Sequence, residues 1–236
     1  MPASSGEHSR RVLVLGGTTG IGQAVVQAID DGWGDLVSIH APSKDEVDVT
    51  REDTLWDYIT EVEPTHVVYS AGVNYLDWIE DIHPEKFAEI MAVNLWGFVS
   101  TVQALMRTWR ESDTMSIVAI TSDAAYRPMR TSLAYCASKA ALDMAIRCAS
   151  RELAPRGWRI NGVAPGKVAD TPMTEYVDKR VMEVRDWTKT HAEKYEMDST
   201  PIGRKVTKDE VAEVVLDVLF GPKALTGEII AVNGGR

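Results

Sequence analysis

The stretch VLVLGGTTGIGQAVV, residues 12–26, decides the fold. Four apolar residues run without a polar break into Gly16 and Gly17, and from Gly20 onward the spacing is helical, so a buried strand turns sharply into a helix. Gly16, Gly20 and Gly22 stand at that turn. Glycine there lets the backbone bend and lets a pyrophosphate approach with no Cβ in the way. The helix start then offers free N–H groups and a positive dipole end to the anion. Thr18 and Thr19 add hydroxyl donors. The competing reading is a glycine-rich turn with no ligand; a strand before it and a helix after it favour the phosphate-binding one.

Outward from this turn, strand and helix alternate. Expected strands are 11–17, 35–40, 46–49, 65–72, 115–122, 158–166 and 227–232. Expected helices are 20–31, 51–62, a long region 84–109, 132–154, a polar segment near 174–197, and 208–219. Strands separated by helices of this length imply parallel pairing with helices on both faces. No linker or repeat interrupts the series. The expectation is one α/β domain over residues 10–236, a doubly wound Rossmann-like sheet of about seven parallel strands, with residues 1–9 a frayed tail.

The formal charge of −10 with no offsetting basic stripe argues against a nucleic-acid partner. No apolar run is expected to reach membrane-spanning length, and the polar opening MPASSGEHSRR does not read as a signal peptide. Cys136 and Cys148, twelve apart on one expected helix, fit free thiols in a reduced, cytoplasmic compartment. His66 and His191 have no partners at metal-ligand spacing, so no metal is assigned.

In AYCASKAALDMA, residues 134–145, Tyr135 and Lys139 are four apart and share one helix face. A phenol beside an ammonium is able to do acid–base chemistry, or is an ordinary surface pair. Ser122 ends the fifth expected strand, whose carboxyl end faces the ligand crevice of a doubly wound sheet; alternatively it caps the loop that follows. Asn94 lies inside a helix, where its propensity is poor, which by itself fits a kink or a helix–helix hydrogen bond.

The glycine turn spaced G-x-x-x-G-x-G, NLWG at 94–97, ITS at 120–122, Tyr-x-x-x-Lys, and Pro165-Gly166 occur in order. PIGR at 201–204 and TGEIIAVNGG at 226–235 follow. Together they resemble the short-chain dehydrogenase/reductase family, in its compact single-domain branch. The resemblance implies hydride transfer between nicotinamide and a carbonyl or alcohol carbon of a small molecule. Tyr135 is then the general acid/base, its pKa expected to fall beside Lys139 and an oxidised nicotinamide. Lys139 tunes it and binds the nicotinamide ribose, Ser122 hydrogen-bonds the substrate oxygen, and Asn94 positions a water on the proton path.

The same resemblance makes Gly16, Thr18, Thr19, Gly20, Ile21, Gly22, Ser70, Ala71, Gly72, Pro165, Gly166 and Val168 cofactor neighbours, and places Asp48 and Val49 beside the adenine. No acid stands at His40, where an NAD-preferring enzyme ends its second strand, and Ser43 and Lys44 follow closely. NADP is therefore expected, with NAD the alternative; Ser43 and Lys44 also fit a solvated turn. Three departures stand out: Leu15 where threonine is common, Ser70 where asparagine is usual, and one extra residue after Gly166. The last leaves either Asp170 or Thr171 to meet the nicotinamide amide. Residues 171–200 cover the substrate in relatives, with Trp187 and Tyr195 candidate contacts, or form an exposed helix pair. A catalytically silent NAD(P)-binding scaffold is the alternative function. A nucleotide-sugar epimerase is disfavoured by chain length. A homodimer or homotetramer is implied by analogy.

Overall fold

The strand that opens the glycine turn, β1 (Arg10–Leu15), is buried on both faces in a computed structural model that describes residues 10–33, 36–110 and 114–236. After it come α1 (Gly20–Trp33), β2 (Val37–His40), α2 (Glu52–Val62), β3 (His66–Tyr69), α3 (Pro84–Met91) and α4 (Gly97–Thr108). The second half holds β4 (Met115–Ile120), α5 (Leu133–Leu153), β5 (Trp158–Pro165), α6 (Pro172–Arg185), α7 (Lys189–Asp198), α8 (Lys208–Leu219) and β6 (Ile229–Val232). All strand pairs are parallel, in the order β2-β1-β3-β4-β5-β6. The expected tail at 1–9 and Asp35 of the expected second strand lie outside the described residues.

Strand alternation sorts the core into two layers. Leu13, Leu15, Val67, Tyr69, Ile117 and Ile160 face one side, against Leu55 and Ile59 of α2, Phe98 and Leu105 of α4, and Leu142 and Ile146 of α5. Val12, Val14, Val68, Val118 and Val163 face the other, against Val25 and Ile29 of α1 and Val211 and Val215 of α8. A sheet buried on both faces needs such unbroken apolar strands.

The expected strand at 46–49 does not form. Val47 and Val49 are buried, so the apolar alternation is real, but the chain there is wound into turns. The Glu46 and Val47 N–H groups donate to the Ser43 carbonyl, and the Asp48 carboxylate accepts from the Thr50 N–H. The described sheet therefore has six strands and ends at β2.

A second correction concerns the long helix. α3, a π-helical turn at Ala92–Trp96 and α4 run continuously over Pro84–Thr108, 25 residues, long and apolar enough to cross a membrane by length and composition. Half of its apolar window is buried inside the protein, with Ile90, Phe98 and Leu105 in the interior, which is the pattern of a core helix. The π turn packs closely against the exit of β3. The Tyr69 hydroxyl donates to the Val93 carbonyl at 2.5 Å, and a Cβ on Gly97 would lie 2.3 Å from that hydroxyl. π turns concentrate at functional sites, and this one carries Asn94.

From β1 the chain goes to β2 on one side, then returns to β3 on the other. Such a reversal opens a crevice at the carboxyl ends of the strands.

Candidate active site

A cleft of about 650 Å³ occupies that crevice, lined by the residues that leave β1, β3, β4 and β5. At one end stand Gly16, Thr18, Thr19, Gly20 and Ile21, with Lys44, Asp48 and Val49 beyond them. Gly16 has φ +80°, and a Cβ on it would lie 2.7 Å from the Ala71 nitrogen. Gly22 does not line the cleft but holds the turn closed, since its Cβ would lie 2.1 Å from the Gly16 carbonyl oxygen. α1 starts at Gly20 with no acid in its first turn, so its positive end meets the cleft unopposed. Ser70, Ala71, Gly72, Pro165, Gly166 and Val168 form the walls. These residues fit a dinucleotide, with an anion cradle at one end and a proton-handling group at the other.

That group is built from α5 and the exit of β4. Tyr135 and Lys139 are both buried, and both line the cleft with Ser122. The Ser122 hydroxyl hydrogen-bonds the Tyr135 phenol and accepts from the Ala124 N–H at 3.2 Å. Its capping and its approach to the phenol thus coexist. Lys139 Nζ donates to the Ile120 carbonyl at 2.8 Å and lies 5.8 Å from the Tyr135 ring centre.

The protein's own groups act on the phenol in the opposite sense to the one expected with an oxidised nicotinamide bound. Burial pushes Tyr135 up to about 12, opposed by the Ser122 hydrogen bond and reinforced by the Asp123 carboxylate. Lys139 spends its ammonium on a backbone carbonyl rather than on the phenol. Burial brings Lys139 down to about 8, against the pull of Asp143 one turn along. The protein alone therefore holds this site as a neutral phenol.

Asn94 lies behind the wall. Its Oδ1 accepts from the Val73 N–H at 2.8 Å, and its Nδ2 donates to the Val73 carbonyl at 2.9 Å and to Ser138 Oγ at 3.0 Å. Ser138 in turn donates to the Tyr135 carbonyl. One fully buried side chain so ties the exit of β3 to the helix that carries the phenol.

Thr171 lines the cleft, accepts from the Thr174 N–H at 3.1 Å and caps α6. Asp170 is exposed, at φ +54°, and does not line the cleft. His40 and Ser43 also fall outside it. His40 Nε2 is 3.0 Å from Ser38 Oγ, and the Ser43 N–H and hydroxyl both donate to the Glu46 carboxylate at 2.8 Å. Of the residues read from the second-strand exit, Lys44 alone reaches the cleft.

Trp187 and Tyr195 line the far end, with ring centres 5.0 Å apart. Sequence reasoning missed the charges around them. Lys167 bridges Asp178 at 2.5 Å and Glu196 at 3.1 Å, and Arg236 bridges Glu196 at 3.3 Å and Asp123 at 3.7 Å. These partners come from segments far apart in the chain, so no local pattern announces them. Asp123, adjacent to Ser122, was the one local signal.

Comparison with known proteins agrees with this geometry. A family model described as enoyl-(acyl carrier protein) reductase matches residues 35–236. L-xylulose reductase of Caenorhabditis elegans is 29% identical over 257 residues, covering 100% of this chain and 98% of the relative. The 3-oxoacyl-[acyl-carrier-protein] reductase MabA of Mycobacterium avium is 33% identical over 185 residues, covering 73% and 72%. A short chain dehydrogenase family protein from Francisella tularensis superposes with a TM-score of 0.84 at 26% identity, over 96% of this chain and 98% of that one.

Proposed function

The chain belongs to the short-chain dehydrogenase/reductase family and is an NAD(P)-dependent oxidoreductase, and on that premise we propose that Tyr135 is its general acid/base, acting on a small carbonyl or alcohol substrate. The observation that carries this reading is the buried phenol hydrogen-bonded to Ser122 in the same cleft as the glycine turn. The nicotinamide, when bound, supplies or accepts the hydride. For reduction, the neutral Tyr135 gives its proton to the substrate oxygen as negative charge develops there, and Ser122 hydrogen-bonds the same oxygen. For oxidation the phenol must first lose its proton, which burial opposes. Lys139, its ammonium held by the Ile120 carbonyl, lines the cleft beside the phenol as the proposed ligand of the nicotinamide ribose, and Asn94 keeps the wall at Val73 in register with α5.

The proposed cofactor is NADP. No acid ends β2, and Lys44 supports the choice as the cation lining the adenosine end. Glu46 holds Ser43 away from that role. Two measurements test the proposal. NADPH oxidation over a panel of ketones is expected to show turnover, and cofactor binding with no turnover on any member contradicts the enzyme reading. NADPH is expected to bind more tightly than NADH; tenfold tighter NADH, about 1.4 kcal/mol, overturns the choice of cofactor.

A further inference from the structure

The substrate end of the cleft carries more positive charge than its carboxylates neutralise. Asp123, Asp178 and Glu196 line it, and each faces a cation in the Lys167 and Arg236 network. Arg130 and Arg185 line the same end and have no carboxylate partner among the described residues. In a chain of charge −10, two guanidiniums left together without an acid ask for an explanation.

Neutral groups hold Arg185 in place, while Arg130 is exposed beside an aromatic ring. Arg185 Nε donates to Thr131 Oγ1 at 3.1 Å and its Nη2 to the Arg130 carbonyl. The rest of its donor fork has no hydrogen-bond partner among the described residues, and its guanidinium lies 4.9 Å from the Trp187 ring centre. Arg130 lies 5.0 Å from the Trp78 ring centre. Between the two stands Thr131 at φ +61°, a left-handed backbone that a β-branched residue rarely takes. Its carbonyl accepts from the Asp77 N–H at 3.0 Å. Burial works against the Arg185 cation, Tyr195 favours it and the Arg130 charge opposes it, with the balance lowering its pKa. A strained backbone beside two cations that line one cleft is a feature of a ligand-binding site.

Resting on the redox reading of this cleft, we infer that the substrate carries an oxyanion away from its reacting carbon, and that Arg130 and Arg185 bind it. A guanidinium fork matches a carboxylate, sulfonate or phosphate through paired charge-assisted hydrogen bonds. Arg130 belongs to the segment that joins Ser122 to Tyr135, and all three line the same cleft, so an anion held there shares that cleft with the phenol.

The test measures binding by calorimetry for methyl-ketone carboxylates of increasing chain length, each against its own methyl ester. At least one acid is expected to bind about tenfold or more tightly than its ester, with the ratio shrinking as salt is raised. Arg130→Gln and Arg185→Gln are each expected to cut that ratio to roughly threefold or less. A merely structural role for either arginine would weaken acid and ester alike and leave the ratio in place. Equal binding of every acid and ester by the wild type overturns the inference, as does a ratio unchanged in both variants. Acid-selective binding without hydride transfer to any member refutes the redox reading and leaves the anion site standing. Turnover without acid selectivity does the reverse.

Discussion

Replacing Lys139 with methionine isolates the energetic cost of keeping an ammonium inside this site. The lysine is buried, and its pKa falls from 10.5 to about 8, chiefly through desolvation. At about 1.4 kcal/mol for each tenfold change in proton affinity, the folded protein loses about 3 kcal/mol by holding the charged form. Below pH 8 both the folded and unfolded chains carry the proton, and the whole penalty is present. Between about pH 8 and 10.5 the unfolded chain holds a proton that the folded chain has released, so stability rises with pH. Above 10.5 the penalty is gone. Lys139→Met has no such dependence, while every other titrating group is common to both proteins. Tyr135, raised to about 12, titrates past the top of the window. Urea unfolding of both proteins from pH 7 to 10.5 is therefore expected to show the wild type gaining about 3 kcal/mol on the variant. A stability difference that stays flat, within about 0.5 kcal/mol, would mean that the ammonium is solvated, and the argument from burial would fail.

Two structural substitutions follow from the site's walls. Gly22→Ala places a methyl group 2.1 Å from the Gly16 carbonyl oxygen, a backbone contact with nowhere to move; NADPH binding is expected to fall at least about tenfold, with stability reduced by roughly 2 kcal/mol or more. Asn94→Ala removes three hydrogen bonds of a fully buried side chain and takes away the partner of the Val73 backbone pair; a loss of about 2–4 kcal/mol is expected in urea unfolding, and a loss below about 0.5 kcal/mol contradicts its role as a tie.

The parts of this molecule that can be read from its sequence are those set by neighbours in the chain. The glycine turn is local, because strand, turn and helix start lie within residues 12–26, and the structure places them so. The Tyr135–Lys139 spacing is local too, and one face of α5 buries both. What misled was pattern without context. Val47 and Val49 alternate as a strand would, and are buried as a strand would be, but Ser43, Glu46 and Asp48 fold the backbone onto itself before any ladder forms. The long helix exceeds the apolar run expected because α3, the π turn and α4 join end to end, with Tyr69 of β3 donating to Val93 inside the π turn. Helical spacing brings Lys139 to the same face as the phenol but not into contact with it, because the Ile120 carbonyl, from a distant strand, claims the ammonium. Asp170 and Thr171 were indistinguishable by counting; the left-handed backbone at Asp170 turns it out and leaves Thr171 along the cleft. Arg185 and Arg236 gave no signal at all, since their neighbours arrive from Arg130, Asp123 and Glu196 only after folding.

Turnover of Tyr135→Phe, followed by NADPH absorbance with any ketone the wild type reduces, tests the proton-donor assignment most directly. The account predicts a fall of roughly a hundredfold or more, with NADPH affinity and unfolding midpoint close to those of the wild type. A variant that turns over at near the wild-type rate would contradict it.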